Sequence, residues 1–85
     1  MTLPPKRNQP PEFRTSDLGV AAFLVANALP LLRVDAVEPR SLFVFPGHAA
    51  VVALRYYQPG LNLVDGRKFH LALRELRGLA RGGSR

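Results

Sequence analysis

Hydrophobic and polar positions follow one another along this chain in a pattern that predicts three helices and a small sheet. The first apolar run spans residues 17–28, begins at Asp17 behind two hydroxyl residues, and is stopped by Pro30. Hydroxyl and acidic side chains at that point are typical of a helix start. Because the run is apolar nearly all round, we expect a helix that is buried on most of its surface.

The next segment is typical of a β-hairpin. Residues 31–37 alternate between apolar and polar side chains, and residues 42–45 are aromatic and β-branched. Residues 38–41 between them predict a turn with Pro39 at its second position. A short apolar run at residues 61–64 is a candidate third strand beside this hairpin.

Two more helices are predicted in the second half of the chain. One spans residues 48–57, and the last spans residues 66–81, with Asp65 as its cap and two glycines after it. One face of the last helix carries only core-forming side chains, which are Phe69, Ala72, Leu73, Leu76 and Ala80. The predicted fold class is α+β, a small antiparallel sheet packed by three helices in the order α-β-β-α-(β)-α.

Composition divides the chain into an arm, one domain and a tail. Residues 1–12 hold four of the eight prolines and predict an extended, polyproline-like arm. Residues 13–81 are expected to form the single domain, and residues 82–85 a short tail. The longest uncharged stretch, residues 18–32, is shorter than the roughly 20 apolar residues of a membrane span. With no cysteine and no signal-peptide pattern, we expect a soluble, cytoplasmic protein without a membrane partner.

The net charge of +6 is held at the two ends of the chain. Residues 15–64 contain three arginines and three acidic residues, so the middle is neutral. Residues 1–14 carry three basic residues and one acidic residue, and residues 65–85 carry six basic and two acidic residues. This separation of charge favours a polyanion or an acidic protein as the partner of the two ends.

Four arginines of the last helix fall within an arc of about 80°. A stripe of this kind, ~20 Å long, could follow a phosphate backbone, because a guanidinium fork can hold two phosphate oxygens. A solvated helix face and a contact with an acidic protein are alternative interpretations of the stripe, and a solubilising tail is the alternative for the arm. The candidate nucleic-acid-binding residues are Arg67, Lys68, Arg74, Arg77 and Arg81 of the last helix and Lys6, Arg7 and Arg14 of the N-terminal segment.

The remaining aromatic and titratable side chains favour a structural role over base stacking, metal binding or catalysis. Phe43 and Phe45 share one strand face, and core packing is favoured over base stacking because a small sheet under three helices needs their rings. One of the two adjacent tyrosines is expected to be half exposed. His48 and His70 belong to no ligand or catalytic motif. We therefore expect no catalytic residue, metal, cofactor or small-molecule substrate, and a protein that is not an enzyme.

Four short motifs occur in a fixed order between residues 13 and 77. They are Phe13-Arg14-Thr15-x-Asp17-Leu18-x-x-Ala21-x-Phe23-Leu24, then Phe43-Val44-Phe45, then Tyr56-Tyr57, and finally Phe69-x-x-Ala72-Leu73-Arg74-x-Leu76. In this order they resemble a family of small bacterial and phage domains of unknown function. The resemblance implies no catalytic residues, and through phage-type genomes it implies, by association only, a role with nucleic acid.

Two hypotheses follow from the sequence. The first is a small basic module, without enzymatic activity, that contacts the phosphate backbone of DNA or RNA through its last helix and N-terminal arm. The alternative is a structural or adaptor subunit of a larger protein or ribonucleoprotein assembly. That subunit would dock by its apolar first helix and its basic ends.

Overall fold

The structure, a computed structural model, describes the backbone of residues 12–82 and the side chains of residues 12–80. Residues 1–11 of the predicted arm and residues 83–85 of the predicted tail lie outside the described part. The elements in chain order are β1 (Glu12–Thr15), α1 (Leu18–Ala26), β2 (Arg33–Val37), β3 (Arg40–Pro46), α2 (Ala49–Tyr56) and α3 (Gly66–Gly82). The predicted α+β fold of three helices on a small antiparallel sheet is confirmed.

The three strands lie in the order β1-β3-β2, and both pairings are antiparallel. The β2–β3 hairpin is confirmed, but the prediction of a third strand at residues 61–64 is wrong. Residues 61–65 form turn and irregular structure, and the third strand is β1, which includes Glu12 of the predicted arm. β1 takes the second edge of β3 because it places Phe13 opposite Phe45, where the ring joins the core.

The hairpin turn differs from the prediction by one residue. Val37 pairs with Arg40, so the connection is only Glu38-Pro39, and the peptide bond between these two residues is cis. Pro39 therefore stands third in the four-residue turn and not second.

α1 lies at the centre of the core. Its residues 20–24 are all buried, and Asp17 caps its start by accepting the N–H groups of Gly19 (2.8 Å) and Val20 (3.2 Å). The helix ends at Ala26, two residues earlier than predicted, because Ala28 adopts a left-handed φ of 68°. The prediction of a mostly buried first helix is confirmed, so α1 cannot serve as the exposed apolar docking face of the adaptor hypothesis.

The helices α2 and α3 both pack on α1. Ala72 and Leu76 of α3 are buried, and the rest of its predicted core face is half-buried, so the core face is confirmed. Asp65 caps α3 by accepting the N–H groups of Arg67 and Lys68 at 2.9 and 3.1 Å, also as predicted. 

The aromatic residues divide between the core and the surface. Phe43 and Phe45 are buried, as predicted. Tyr56 packs edge-on against Phe23 with ring centroids 5.5 Å apart, whereas Tyr57 is 65% exposed, which confirms the expected exposure of one tyrosine.

Candidate nucleic-acid interface

The outward face of α3 carries Arg67, Arg74 and Arg77, and all three are exposed. The turn of the helix brings them to one side, with His70, also exposed, between them. Arg67 and Arg77 are ten residues apart, which corresponds to ~15 Å along the helix axis. The backbone of Arg81 continues α3 on the same side, but its side chain lies outside the described part. This surface is called the α3 basic face below.

Within residues 12–80, no acidic side chain forms a salt bridge with the α3 basic face. Among residues 12–80, the salt bridges join only Glu12, Arg14, Arg33 and Asp35, and no residue of α3 takes part. Glu75 is the one acidic residue of α3 and lies ~100° around the helix from Arg74. Positive potential therefore concentrates on this side of the helix.

Lys68 and Arg14 do not belong to the α3 basic face. Lys68 is exposed but lies ~100° around the helix from Arg67, on the side of Glu75. Arg14 alternates with Phe13 along β1, and since Phe13 faces the core, Arg14 projects from the opposite face of the sheet. Lys6 and Arg7, the other predicted contacts of the arm, lie outside the described residues.

The face of the sheet that bears Arg14 carries an ion-pair network. Arg33 donates to both carboxylate oxygens of Glu12, at 2.9 and 3.0 Å, and to Asp35 at 3.0 Å. Arg14 reaches Glu12 at 3.3 Å. The hydrogen bonds from Arg33 lower the pKa of Glu12 below its ordinary value, and the two carboxylates raise the pKa of Arg33.

This ion-pair network covers the middle strand, β3, on the face of the sheet that bears Arg14. Arg33 belongs to β2 and Glu12 to β1, so their hydrogen bonds cross β3. Val44 stands opposite both Arg14 and Arg33 and is 0% exposed. Arg14 and Arg33 thus form ion pairs on the sheet, whereas the described arginines of α3 form none.

A cleft adjoins the α3 basic face at the end of the helix. Its volume is about 450 Å³, and it lies between the start of α1, the hairpin and the last turns of α3. The residues that line it are Ser16, Leu18, Arg40, Ser41, Phe43, Arg77 and Ala80. Arg77 belongs both to this cleft and to the α3 basic face, so the two form one continuous surface.

Sequence reasoning missed Arg40 and the two serines of the cleft. The sequence predicts a turn at Arg40 and Ser41 and a helix cap at Ser16, whereas Asp17 is the residue that caps α1. No local signal connects Arg40 with Arg77, because they are far apart in the sequence and meet only when α3 packs across the hairpin.

Large apolar side chains are exposed on α2 and on the segment that follows it. Val51 and Leu54 on the outer face of α2 are 64% and 63% exposed, and Leu61 and Leu63 after it are 56% and 78% exposed. These four residues are called the α2 apolar surface below.

Neither a metal centre nor a membrane span is found in the part of the chain that the structure describes. No three His, Cys, Asp or Glu residues converge there as metal ligands, and no helix there is long and apolar enough to cross a bilayer. His48 precedes α2 and His70 lies on α3, and both are exposed.

Comparisons with protein-family models, with curated proteins and with solved structures find no match for this chain. The resemblance between residues 13 and 77 and a bacterial and phage domain family therefore stays a prediction.

Proposed function

We propose that this chain is a small, non-enzymatic module that binds DNA or RNA by its phosphate backbone through the α3 basic face. The observation that carries the proposal is that Arg67, Arg74 and Arg77 are exposed on one side of one helix without an acidic partner among the described residues. Lys68, Arg81 and the arm residues Lys6 and Arg7 would add contacts from the flanks. A role on nucleic acid would place the protein in the cytoplasm.

The chemistry of arginine supports this proposal over a merely solvated face. A guanidinium group is weakly hydrated and presents a planar fork of donors that matches phosphate oxygens. Arg33 already uses such a fork on the carboxylate of Glu12. Arg74 and Arg77 are exposed and form no salt bridge within residues 12–80.

The test is fluorescence anisotropy of labelled single-stranded and duplex DNA and RNA, at salt concentrations from about 50 to 200 mM. If four to six phosphates are neutralised, the log–log slope of affinity against salt on duplex DNA should be about −4 to −5. The double variant Arg74→Ala/Arg77→Ala should flatten this slope by about two units.

A matched control removes the same charge elsewhere. Arg14 lies on the opposite face of the sheet and Arg55 on α2, so Arg14→Ala/Arg55→Ala should leave the slope close to that of the wild type. Circular dichroism verifies that both double variants are folded. Equal slopes for the wild type and a folded Arg74→Ala/Arg77→Ala variant would contradict the proposal.

The α2 apolar surface favours a second candidate function, an adaptor subunit that docks on a larger assembly. Large apolar side chains exposed on one helix and on the segment that follows it favour a contact surface between proteins. In this alternative the docking element is α2 and the segment after it, and the basic ends hold an acidic protein or a ribonucleoprotein.

Light scattering over a range of protein concentrations distinguishes the two candidates. The adaptor predicts association or precipitation of the isolated chain, which Leu54→Lys/Leu63→Lys should abolish. The nucleic-acid module predicts that the wild type and Leu54→Lys/Leu63→Lys are both monomers at all concentrations.

A further inference from the structure

We propose that the cleft beside Arg77 binds one unpaired nucleotide of a single strand. The inference rests on the proposed function and deepens it, because it assigns single-stranded nucleic acid as the preferred form. Phosphate contacts along α3 could form with a duplex or with a single strand. The cleft could bind only a strand whose bases are unpaired.

The walls of the cleft combine two kinds of chemistry. Leu18, Phe43 and Ala80 give it an apolar lining. Arg40 and Arg77 add two guanidinium groups. A free phosphate ion does not require the apolar lining, and an uncharged apolar ligand does not require two cations. A nucleotide has both a ring with apolar faces and an anionic phosphate.

The hydroxyl groups of Ser16 and Ser41 complete the match. Each can donate and accept a hydrogen bond, as the edge of a nucleobase requires. Phe43 is almost fully buried, so the guanidinium planes of the two arginines offer more surface for stacking on a base than its ring does. The recognition is therefore tolerant of base identity.

The size and position of the cleft fit a single nucleotide within a longer strand. Its volume of about 450 Å³ lies in the usual range of ligand sites. The cleft is open to solvent, so the strand could enter and leave on either side of the bound nucleotide. Arg77 connects it to Arg74 and Arg67, which would hold neighbouring phosphates. In a duplex the bases are paired and stacked, and none could enter without being unpaired.

The experiment compares three probes by anisotropy at about 50 mM salt. The first is a labelled oligothymidine of about twelve nucleotides, in the size range of a single-strand site. The second is a strand of equal length with abasic residues in place of every base, which keeps the phosphates. The third is a duplex of equal length. We expect the oligothymidine to bind about tenfold more tightly than the abasic strand, since stacking of one base can supply that factor.

Two variants fill the cleft without changing charge. Ser16→Leu places a larger side chain at an exposed position of the cleft, and Ala80→Leu places one in its apolar wall. If one of the two variants disturbs the fold, the other still gives the test. Both should reduce the preference for oligothymidine over the abasic strand to about twofold or less, while affinity for the abasic strand is kept. Ala50→Leu, on the exposed side of α2, adds the same volume outside the cleft and should keep the preference.

The outcomes separate this inference from the proposed function. A preference for bases that a folded filling variant removes supports the inference. Equal binding of the oligothymidine and the abasic strand, or a preference that both folded filling variants keep, overturns the inference and leaves backbone binding in place. Failure of all three probes to bind overturns both.

Discussion

Gly78 is an exposed glycine inside α3, and replacing it with alanine tests the helix on which the α3 basic face depends. A Cβ atom added at Gly78 has no neighbour within 4 Å outside its own helix backbone, so the new methyl group meets open space. Its effect on the free energy of unfolding should therefore come from helix propensity alone.

The magnitude follows from the position of Gly78. Alanine is more favourable than glycine in a helix interior by about 0.8–1.0 kcal/mol. Gly78 lies four residues before Gly82, the last described residue of α3, and fraying near this end reduces the gain. We therefore expect Gly78→Ala to stabilise the protein by about 0.5–1 kcal/mol. For a domain of this size that corresponds to an increase in Tm of roughly 2–8 °C.

Thermal unfolding followed by circular dichroism, with urea unfolding as an independent measure, gives the result. A Tm that is unchanged or lower in Gly78→Ala would mean that α3 is not a continuous helix through residue 78. The placement of Arg74 and Arg77 on one side of α3 would then also be unsupported, because it follows from the helical period.

A second replacement at the same position links stability to binding. Lysine has nearly the helix propensity of alanine. At residue 78, repulsion from Arg74 and Arg81 and attraction to Glu75 and to the helix C-terminus are each below about 1 kcal/mol and oppose one another. Gly78→Lys should therefore stabilise the protein by about as much as Gly78→Ala. It should also steepen the salt slope on single strands by up to about 0.7, which Gly78→Ala should not do.

The remaining predictions concern α1 and the ion-pair network. Gly19→Ala should destabilise the protein by about 1 kcal/mol, because the new Cβ would collide with the Tyr56 hydroxyl, and Tyr56→Phe should relieve part of this cost in a double-mutant cycle monitored by urea unfolding. Glu12→Gln should lower Tm at neutral pH, since its ion pair with Arg33 is lost. Because the folded-state pKa of Glu12 is lowered, the contribution of this carboxylate is present above its ordinary value of 4.5 and disappears as the pH falls through the lowered pKa. A difference in Tm between the wild type and Glu12→Gln that persists at lower pH would contradict this assignment.

Much of α3 could be predicted from the sequence because its determinants are local. Asp65 at the start and the spacing of Phe69, Ala72 and Leu76 define the helix within a single stretch of chain. The arc of arginines follows from the same helical period. The prediction was therefore correct to within one residue at its C-terminal end.

β1 could not be predicted in this way. A four-residue segment with charges at Glu12 and Arg14 and prolines before it has no strand pattern of its own. It becomes a strand only because β3 presents an edge with unpaired backbone groups and Phe13 fits beside Phe45. The apolar run at residues 61–64 has more of a strand pattern, but it pairs with no strand of the sheet.

Local sequence was enough to predict the three helices, the Asp65 cap and core face of α3, and the excess of positive charge on its outward side. Tertiary structure alone decided which segment completes the sheet, which arginines are paired with carboxylates, and that Arg40 and Arg77 share a cleft. The physical reason is the range of the interactions. Helix hydrogen bonds and caps join residues within about four positions, whereas strand pairing, the ion pair from Arg33 to Glu12 and the walls of a cleft join distant segments that meet only in the folded chain.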